Sequence, residues 1–174
     1  MVYIFTTRRL GVRRFCGEDL AALRAVMRDA DSQRFLSFSS LVKSKAAARQ
    51  LLVETIVAYD SPEPRLAYAV ELRTPATFIG LTGISRLGSS EAEIMYAVAP
   101  RHRGRGLATE LAAGLISYAR DVLGFPVLVA FVVPDNERSK SILRGLGFHG
   151  DALIDHPAFA EPVERFVLDE SADG

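Results

Sequence analysis

The 174-residue chain has a single cysteine, Cys16, so neither an internal disulfide nor a cysteine-based zinc site is available to it. Such sparing use of cysteine suits a reducing compartment. Charge of one sign is also lacking: Lys plus Arg and Asp plus Glu number 21 each. No overall field therefore draws the protein to nucleic acid or an anionic membrane. Long apolar runs are missing as well. Nothing approaches the roughly 20 residues that cross a bilayer, and the apolar stretch behind Met1 is too short for a secretory leader. No repeat, low-complexity tract or Gly/Ser/Pro-rich linker stands out. The expectation is one soluble, cytoplasmic domain covering residues 1–174, monomeric or homodimeric, without a resident metal.

What is present is an ordinary globular composition, 49% hydrophobic and 24% charged. Residues 6–15 (TTRRLGVRRF) read as a first strand. Leu20, Leu23 and Met27 then form a helical stripe. Ser44 is a good N-cap for a second helix carrying Ala48, Leu52, Ile56 and Tyr59 on one face. Three strand-like runs follow, 65–73, 77–87 and 92–99, broken at Thr74-Pro75 and Gly88-Ser89-Ser90. Such short breaks predict antiparallel neighbours. After Pro100 the period changes, and Leu107, Leu111, Leu115 and Ala119 predict a long helix. Residues 125–133 form an apolar run typical of a strand covered on both faces. A helix from about Glu137 to Leu146, stopped at Gly147, and a strand over 163–168 complete a mixed α/β (α+β) order.

The chemistry concentrates in Arg101-His102-Arg103-Gly104-Arg105-Gly106, where a strand turns directly into a long helix. The first helical turn leaves four backbone N–H groups without partners, and the macrodipole makes that end positive. Gly104 and Gly106 let the backbone approach a ligand, and Arg101, Arg103 and Arg105 suit phosphate oxygens. A bound phosphate or pyrophosphate is implied. The loop is not a nucleotide-triphosphate loop, since no Lys-Ser/Thr follows Gly106. It is not a dinucleotide-binding turn either, because Thr109 stands at the third glycine position and the preceding strands read as a meander. A solvated basic turn is the plainest alternative. A nucleic-acid contact aided by Arg8, Arg9, Arg13 and Arg14 is opposed by the balanced charge.

Arg-x-x-Gly-x-Gly between a strand and a long helix resembles the pyrophosphate loop of the Gcn5-related N-acetyltransferase (GNAT) superfamily. A second block agrees: Asn136-Glu137-Arg138-Ser139 running to Leu146-Gly147-Phe148 is similar to that superfamily's N-x-x-S … L-G-F segment. The opening TTRRLGVRRF with Glu18-Asp19-Leu20 looks like the start of the ribosomal-protein N-terminal acetyltransferase branch. The resemblance covers nearly the whole chain. It implies a GNAT fold with a mixed, mostly antiparallel central sheet, acetyl-CoA as co-substrate and a primary amine as acceptor.

By the same resemblance, Tyr96, Ala97 and Val98 border the pantetheine arm of the cofactor, and the loop with Leu107, Ala108 and Thr109 takes the pyrophosphate. Glu93 becomes the candidate general base, with Glu91 in reserve on the same face. Asn136 and Ser139 are expected to hydrogen-bond the cofactor or its sulfur. One departure stands out. Where many members carry a tyrosine that protonates the departing thiolate, seven residues after the asparagine, this chain has Leu143. That keeps open a non-catalytic acyl-CoA-binding module. Cys16, His149 and His156 read as structural, His102 as a surface residue, and Phe35 and Phe38 as core or lid aromatics beside an acceptor region spanning 24–59.

Overall fold

The computed structural model describes residues 2–36 and 44–169. Phe38 and part of the expected acceptor region lie outside them. Among the described residues, eight strands are hydrogen-bonded in the order β1-β2-β3-β4-β5-β6-β8-β7, in a mostly antiparallel sheet in which β5 and β6 run parallel. The expected mixed α/β architecture is the observed one. Backbone packing divides the chain into two compact units, residues 1–83 with 96–114 and residues 84–95 with 115–174. Strands β4 (Ala76–Arg86) and β5 (Glu91–Val98) belong partly to each.

In the first unit, the stretch read as one opening strand is a hairpin. β1 (Phe5–Thr6) folds back on β2 (Leu10–Arg13), and the Thr7 N–H donates to the Leu10 carbonyl. Two polar arginines at 8 and 9 suit the exposed turn, which is why a continuous strand loses to a hairpin. β2 then pairs antiparallel with β3 (Leu66–Arg73). The first helical stripe is α1 (Leu20–Met27), which holds all three of its residues, and an unexpected short helix, α2 (Ala30–Phe35), starts behind Asp29, whose carboxylate caps it by accepting from the Ser32 N–H at 3.0 Å. Helix α3 (Lys45–Ala58) begins at Ser44 as expected, with its hydroxyl accepting from Ala47 N–H. Leu10, Val12, Val26, Val70, Ile79 and Leu111 are almost completely buried in this unit.

One buried ionic network underlies the hairpin. The Arg13 guanidinium bonds Asp19 through two nitrogens, at 2.7 and 2.8 Å, and Glu71 at 2.8 Å, all three residues being nearly inaccessible. Tyr3 adds a hydroxyl donor to Glu71. Burial alone would raise the Asp19 carboxyl. Arg13 and the Cys16 N–H outweigh it and hold the group below the usual range.

In the second unit, β5 pairs with β6 (Val127–Val132) only over Glu91–Glu93 opposite Val127–Val129. Antiparallel pairs join β6 to β8 (Val163–Leu168) and β8 to β7 (His149–Ile154). Helix α5 (Glu137–Gly145) ends in a Schellman motif: Phe148 N–H reaches the Leu143 carbonyl and Gly147 N–H the Arg144 carbonyl, with Gly147 at φ +90°. The Leu-Gly-Phe run is thus a helix stop, its Phe148 buried. Helix α4 (Leu107–Ser117) leaves the first unit at Gly114 and opens into a π turn over Tyr118–Val122. No helix among the described residues is long and apolar enough to cross a membrane.

Candidate active site

Strand β5 delivers the chain into the loop. The Ala99 N–H is held by the Ile79 carbonyl at 2.7 Å, and a short 3₁₀ turn, Pro100–His102, carries the three residues into the glycines. Gly104 sits at φ +75° and Gly106 at φ +70°, left-handed values that an L side chain resists. The consequence is visible in the hydrogen bonds. The backbone N–H groups from Gly104 through Thr109 find no acceptor among the described residues, the first helical bond running from Glu110 N–H to the Gly106 carbonyl. This is a run of backbone donors at the positive end of an 11-residue helix.

The three loop arginines differ. Arg105 is exposed and its guanidinium has no partner among the described residues. Arg101 is exposed and uses only Nε, which donates to His102 Nε2 at 3.0 Å. Arg103 is committed: its guanidinium reaches Asp29 at 2.6 Å, Asp31 at 2.9 Å and the Val98 carbonyl at 3.0 Å, with Ser32 Oγ also in range. Arg103 therefore fixes the loop to α2 and to the end of β5. Arg9, on the hairpin turn, does the same from the other side by donating to the Arg105 carbonyl and pairing with Glu110 at 2.6 Å. With Thr7 and the Arg9 N–H also bonding its carboxylate, Glu110 is neutralised in the first turn of α4.

His102 is a correction. It is buried, not a surface residue. Its Nε2 accepts from Arg101, so the neutral ring carries its proton on Nδ1, which has no partner. Burial first, and then the charges of Arg101 and Arg105, push its basicity down. An orphaned buried donor under a loop of unsatisfied amides is what an anion-binding cradle looks like before its ligand is counted. The loop thus fits the pyrophosphate of acetyl-CoA.

Along β5, Tyr96 is half-buried, while Ala97 and Val98 are buried. A feature missed in the sequence explains their placement. A Cβ on Gly80 would stand 2.0 Å from the Ala97 carbonyl oxygen, so only glycine lets β4 come this close. The signal was an isolated glycine inside a strand-like run. Leu107 is buried in the first turn of α4, and Ala108 and Thr109 lie beside it.

The remaining candidates lie in the second unit. Glu93 is half-buried and makes no hydrogen bond or ion pair among the described residues. Burial pushes its carboxyl above the usual range, against a smaller opposing effect of His156. Glu91 differs: it pairs with Arg165 at 3.0 Å. Of the two, Glu93 is the one whose carboxyl has no partner among the described residues, as a base requires. Asn136 caps α5, its Oδ1 accepting from Ser139 N–H at 3.2 Å. Lys140, buried and paired with Glu137 and Glu164, ties that helix to β8. Leu143 is fully buried, so the position of the family's tyrosine is part of the core.

The fold is that of an acetyltransferase, as comparison with known proteins shows. Residues 9–149 match the family model described as an acetyltransferase (GNAT) domain. The chain belongs to that family. It is 26% identical over 156 residues to the uncharacterized N-acetyltransferase YoaA of Bacillus subtilis (strain 168), covering 88% of this chain and 87% of YoaA. Among solved structures it superposes on RimL, a ribosomal L7/L12 alpha-N-protein acetyltransferase in complex with coenzyme A, with TM-score 0.79 and 18% identity, covering 99% of this chain and 100% of RimL. The spermidine N-acetyltransferase of Vibrio cholerae, in complex with CoA and spermine, matches with TM-score 0.78 and 17% identity, covering 92% and 95%.

Proposed function

We propose that this acetyltransferase moves an acetyl group from acetyl-CoA to a primary amine by direct attack, and that it stands with the ribosomal-protein N-terminal branch. The observation that carries the reading is the run of amides from Gly104 to Thr109 without acceptors among the described residues, flanked by the Arg105 guanidinium and the terminal nitrogens of Arg101, which have no partner there either. Arg101, Arg105, Gly104, Gly106 and the amides of Leu107, Ala108 and Thr109 would hold the pyrophosphate, and Tyr96, Ala97 and Val98 would border the pantetheine arm. Acetyl-CoA supplies the activated acetyl carbonyl and a thiol leaving group.

The protein's part is to bind, orient and move one proton. An amine attacks only when neutral, which suits an α-amino group with a pKa of about 8 better than a lysine near 10.4. Glu93 takes that proton: its ammonium N–H bond breaks, the proton goes to a carboxylate oxygen, and the freed lone pair is available for attack. Asn136 and Ser139 are the groups we assign to the sulfur end of the cofactor. No tyrosine stands on α5 to protonate the thiolate, and a thiol that titrates near 8.5 leaves tolerably with hydrogen bonding alone.

Leu143, buried where the family's acid stands, favours a second reading as an acyl-CoA-binding module without turnover. Calorimetric titration with acetyl-CoA tests the binding common to both readings. Acetyl transfer to a peptide α-amino group or to spermidine, followed by thiol release, separates them. Absence of acetyl-CoA binding overturns both, and binding with no transfer to either amine leaves the module.

A further inference from the structure

His102 uses its two ring nitrogens unequally. The 3₁₀ turn Pro100–His102 holds its backbone, with the His102 N–H donating to the Ala99 carbonyl at 2.9 Å. The residue is only 8% exposed, although Arg101, Gly104 and Arg105 around it are exposed. Nε2 accepts from Arg101 Nε at 3.0 Å, and Nδ1 is buried with no partner among the described residues. Neither nitrogen is open to a ligand: Nδ1 is shut off from the surface, and Nε2 is taken by Arg101.

Sequence adjacency does not explain the contact. Neighbouring residues on a helical turn do not face each other, so the Arg101 side chain curls back to reach the imidazole. Packing does not explain the histidine either. A phenylalanine would fill similar space without burying a donor that nothing accepts. What the imidazole supplies beyond bulk is an acceptor for Arg101. It does so only when neutral, since a charged ring has two donors and no acceptor. Burial, and then the charges of Arg101 and Arg105, favour that neutral form.

For Arg101 the result is a side chain anchored at Nε, whose two terminal nitrogens have no partner among the described residues. An exposed arginine otherwise samples many rotamers, and ordering it on a ligand costs conformational entropy. The bond to His102 removes part of that cost before any anion arrives.

We propose that His102 is a positioning residue for the cofactor: its neutral Nε2 anchors Arg101, so that the two terminal guanidinium nitrogens are set in advance for phosphate oxygens. This rests on the reading of the loop as the pyrophosphate site. His102 itself touches no part of the cofactor.

The test is a double-mutant cycle, read by calorimetric titration of the intact protein with acetyl-CoA. Arg101→Ala and His102→Phe are each expected to weaken binding by roughly three- to tenfold, the scale of ordering one long side chain. The double variant should bind no more weakly than Arg101→Ala, because His102 acts only through that guanidinium. His102→Gln, whose Oε1 can accept in place of Nε2, should recover most of the affinity. Losses that add in the double variant overturn the proposal, since a residue that merely supports the loop weakens both backgrounds. A glutamine variant no better than His102→Phe overturns it as well. Nitrogen-15 spectra of the wild type add a check that depends on no variant's folding. The His102 ring should carry its proton on Nδ1, and a proton on Nε2 removes the anchor. Full affinity in Arg101→Ala or His102→Phe, with Arg105→Ala still weak, overturns the role of His102 and leaves the loop as the cofactor site. Full affinity in Arg101→Ala and Arg105→Ala alike removes the loop as that site and takes the proposal with it.

Discussion

Arg103 and Asp29 meet at 2.6 Å, so the middle arginine of the loop is bonded to the residue that caps α2. Two structural duties converge on one carboxylate, and Asp31 holds a second nitrogen of the same guanidinium. Both partners of the Arg103–Asp29 pair are largely buried, which raises its value above that of an exposed pair. A double-mutant cycle with Asp29→Asn and Arg103→Met, read by urea denaturation, should give a coupling of about 1 kcal/mol.

Asp29 adds a pH signature. Burial raises its carboxyl, but Arg103 and the Ser32 N–H outweigh that and hold it low. A depressed carboxyl contributes stability above its unfolded pKa of about 3.9, and that stability is lost as pH falls through the lower folded value. Asp29→Asn should therefore flatten the acid end of a Tm-against-pH curve. A mutant curve parallel to the wild type throughout would show that the clamp stabilises nothing.

Arg105 and Arg103 should behave differently toward cofactor. Arg105→Ala removes a free charge and is expected to weaken acetyl-CoA about tenfold, with Tm unchanged and the deficit shrinking at high salt. Arg103→Met should lower Tm together with affinity, because it releases the loop. Equal and purely electrostatic losses at both positions, measured by calorimetry, would show that the loop arginines are interchangeable.

Gly104→Ala and Gly80→Ala separate conformation from space. A Cβ at Gly104 meets nothing within 4 Å, yet φ +75° costs an L residue about 1–2 kcal/mol, so the loop relaxes and its amides turn. Acetyl-CoA affinity should fall with a small change in Tm. At Gly80 the Cβ meets the Ala97 carbonyl oxygen, and the backbone of β5 has to move. That variant should lose about 1–3 kcal/mol of stability as well as affinity.

Glu93→Gln should depress kcat at neutral pH and leave acetyl-CoA affinity intact. Its stability effect has the opposite sign. A carboxyl raised by burial contributes stability present below its unfolded pKa and lost as pH rises through the folded value. The glutamine variant escapes that loss and should be the more stable protein at neutral and alkaline pH, as Tm measured across pH would show.

Arg13→Met would leave Asp19 and Glu71 buried without a cation, a change of about 3–5 kcal/mol. Urea denaturation at neutral pH measures it. A loss below about 1 kcal/mol would show that water or relaxation compensates the pair of carboxylates.

Much of this was open to reading in the chain itself. The period change after Pro100, the unbroken apolar run at β6, the Ser44 cap and the Gly147 stop are local signals. Each rests on a few adjacent residues with one physical preference, and each is found where expected within a residue or two. The glycine-spaced loop was legible for the same reason: left-handed backbone and helix start are properties of neighbours. The opening hairpin and the short helix α2 were not, because a turn at exposed arginines and a helix start at Asp29 compete closely with other local structures.

Tertiary structure alone decided how like residues part. Three arginines alternate identically in the loop, yet only packing reveals that Asp29 and Asp31 engage Arg103 and leave Arg101 and Arg105 their terminal nitrogens. Glu91 and Glu93 share a strand face, yet Arg165, distant in sequence, neutralises the first and leaves the second alone. His102 and His156 carry no pattern in the sequence, since burial and ring contacts depend on elements brought together only by folding. The chain by itself determined which backbone could cradle a phosphate. Which side chains remain free to act was settled by their partners across the fold, because charge and burial are set by distance in space.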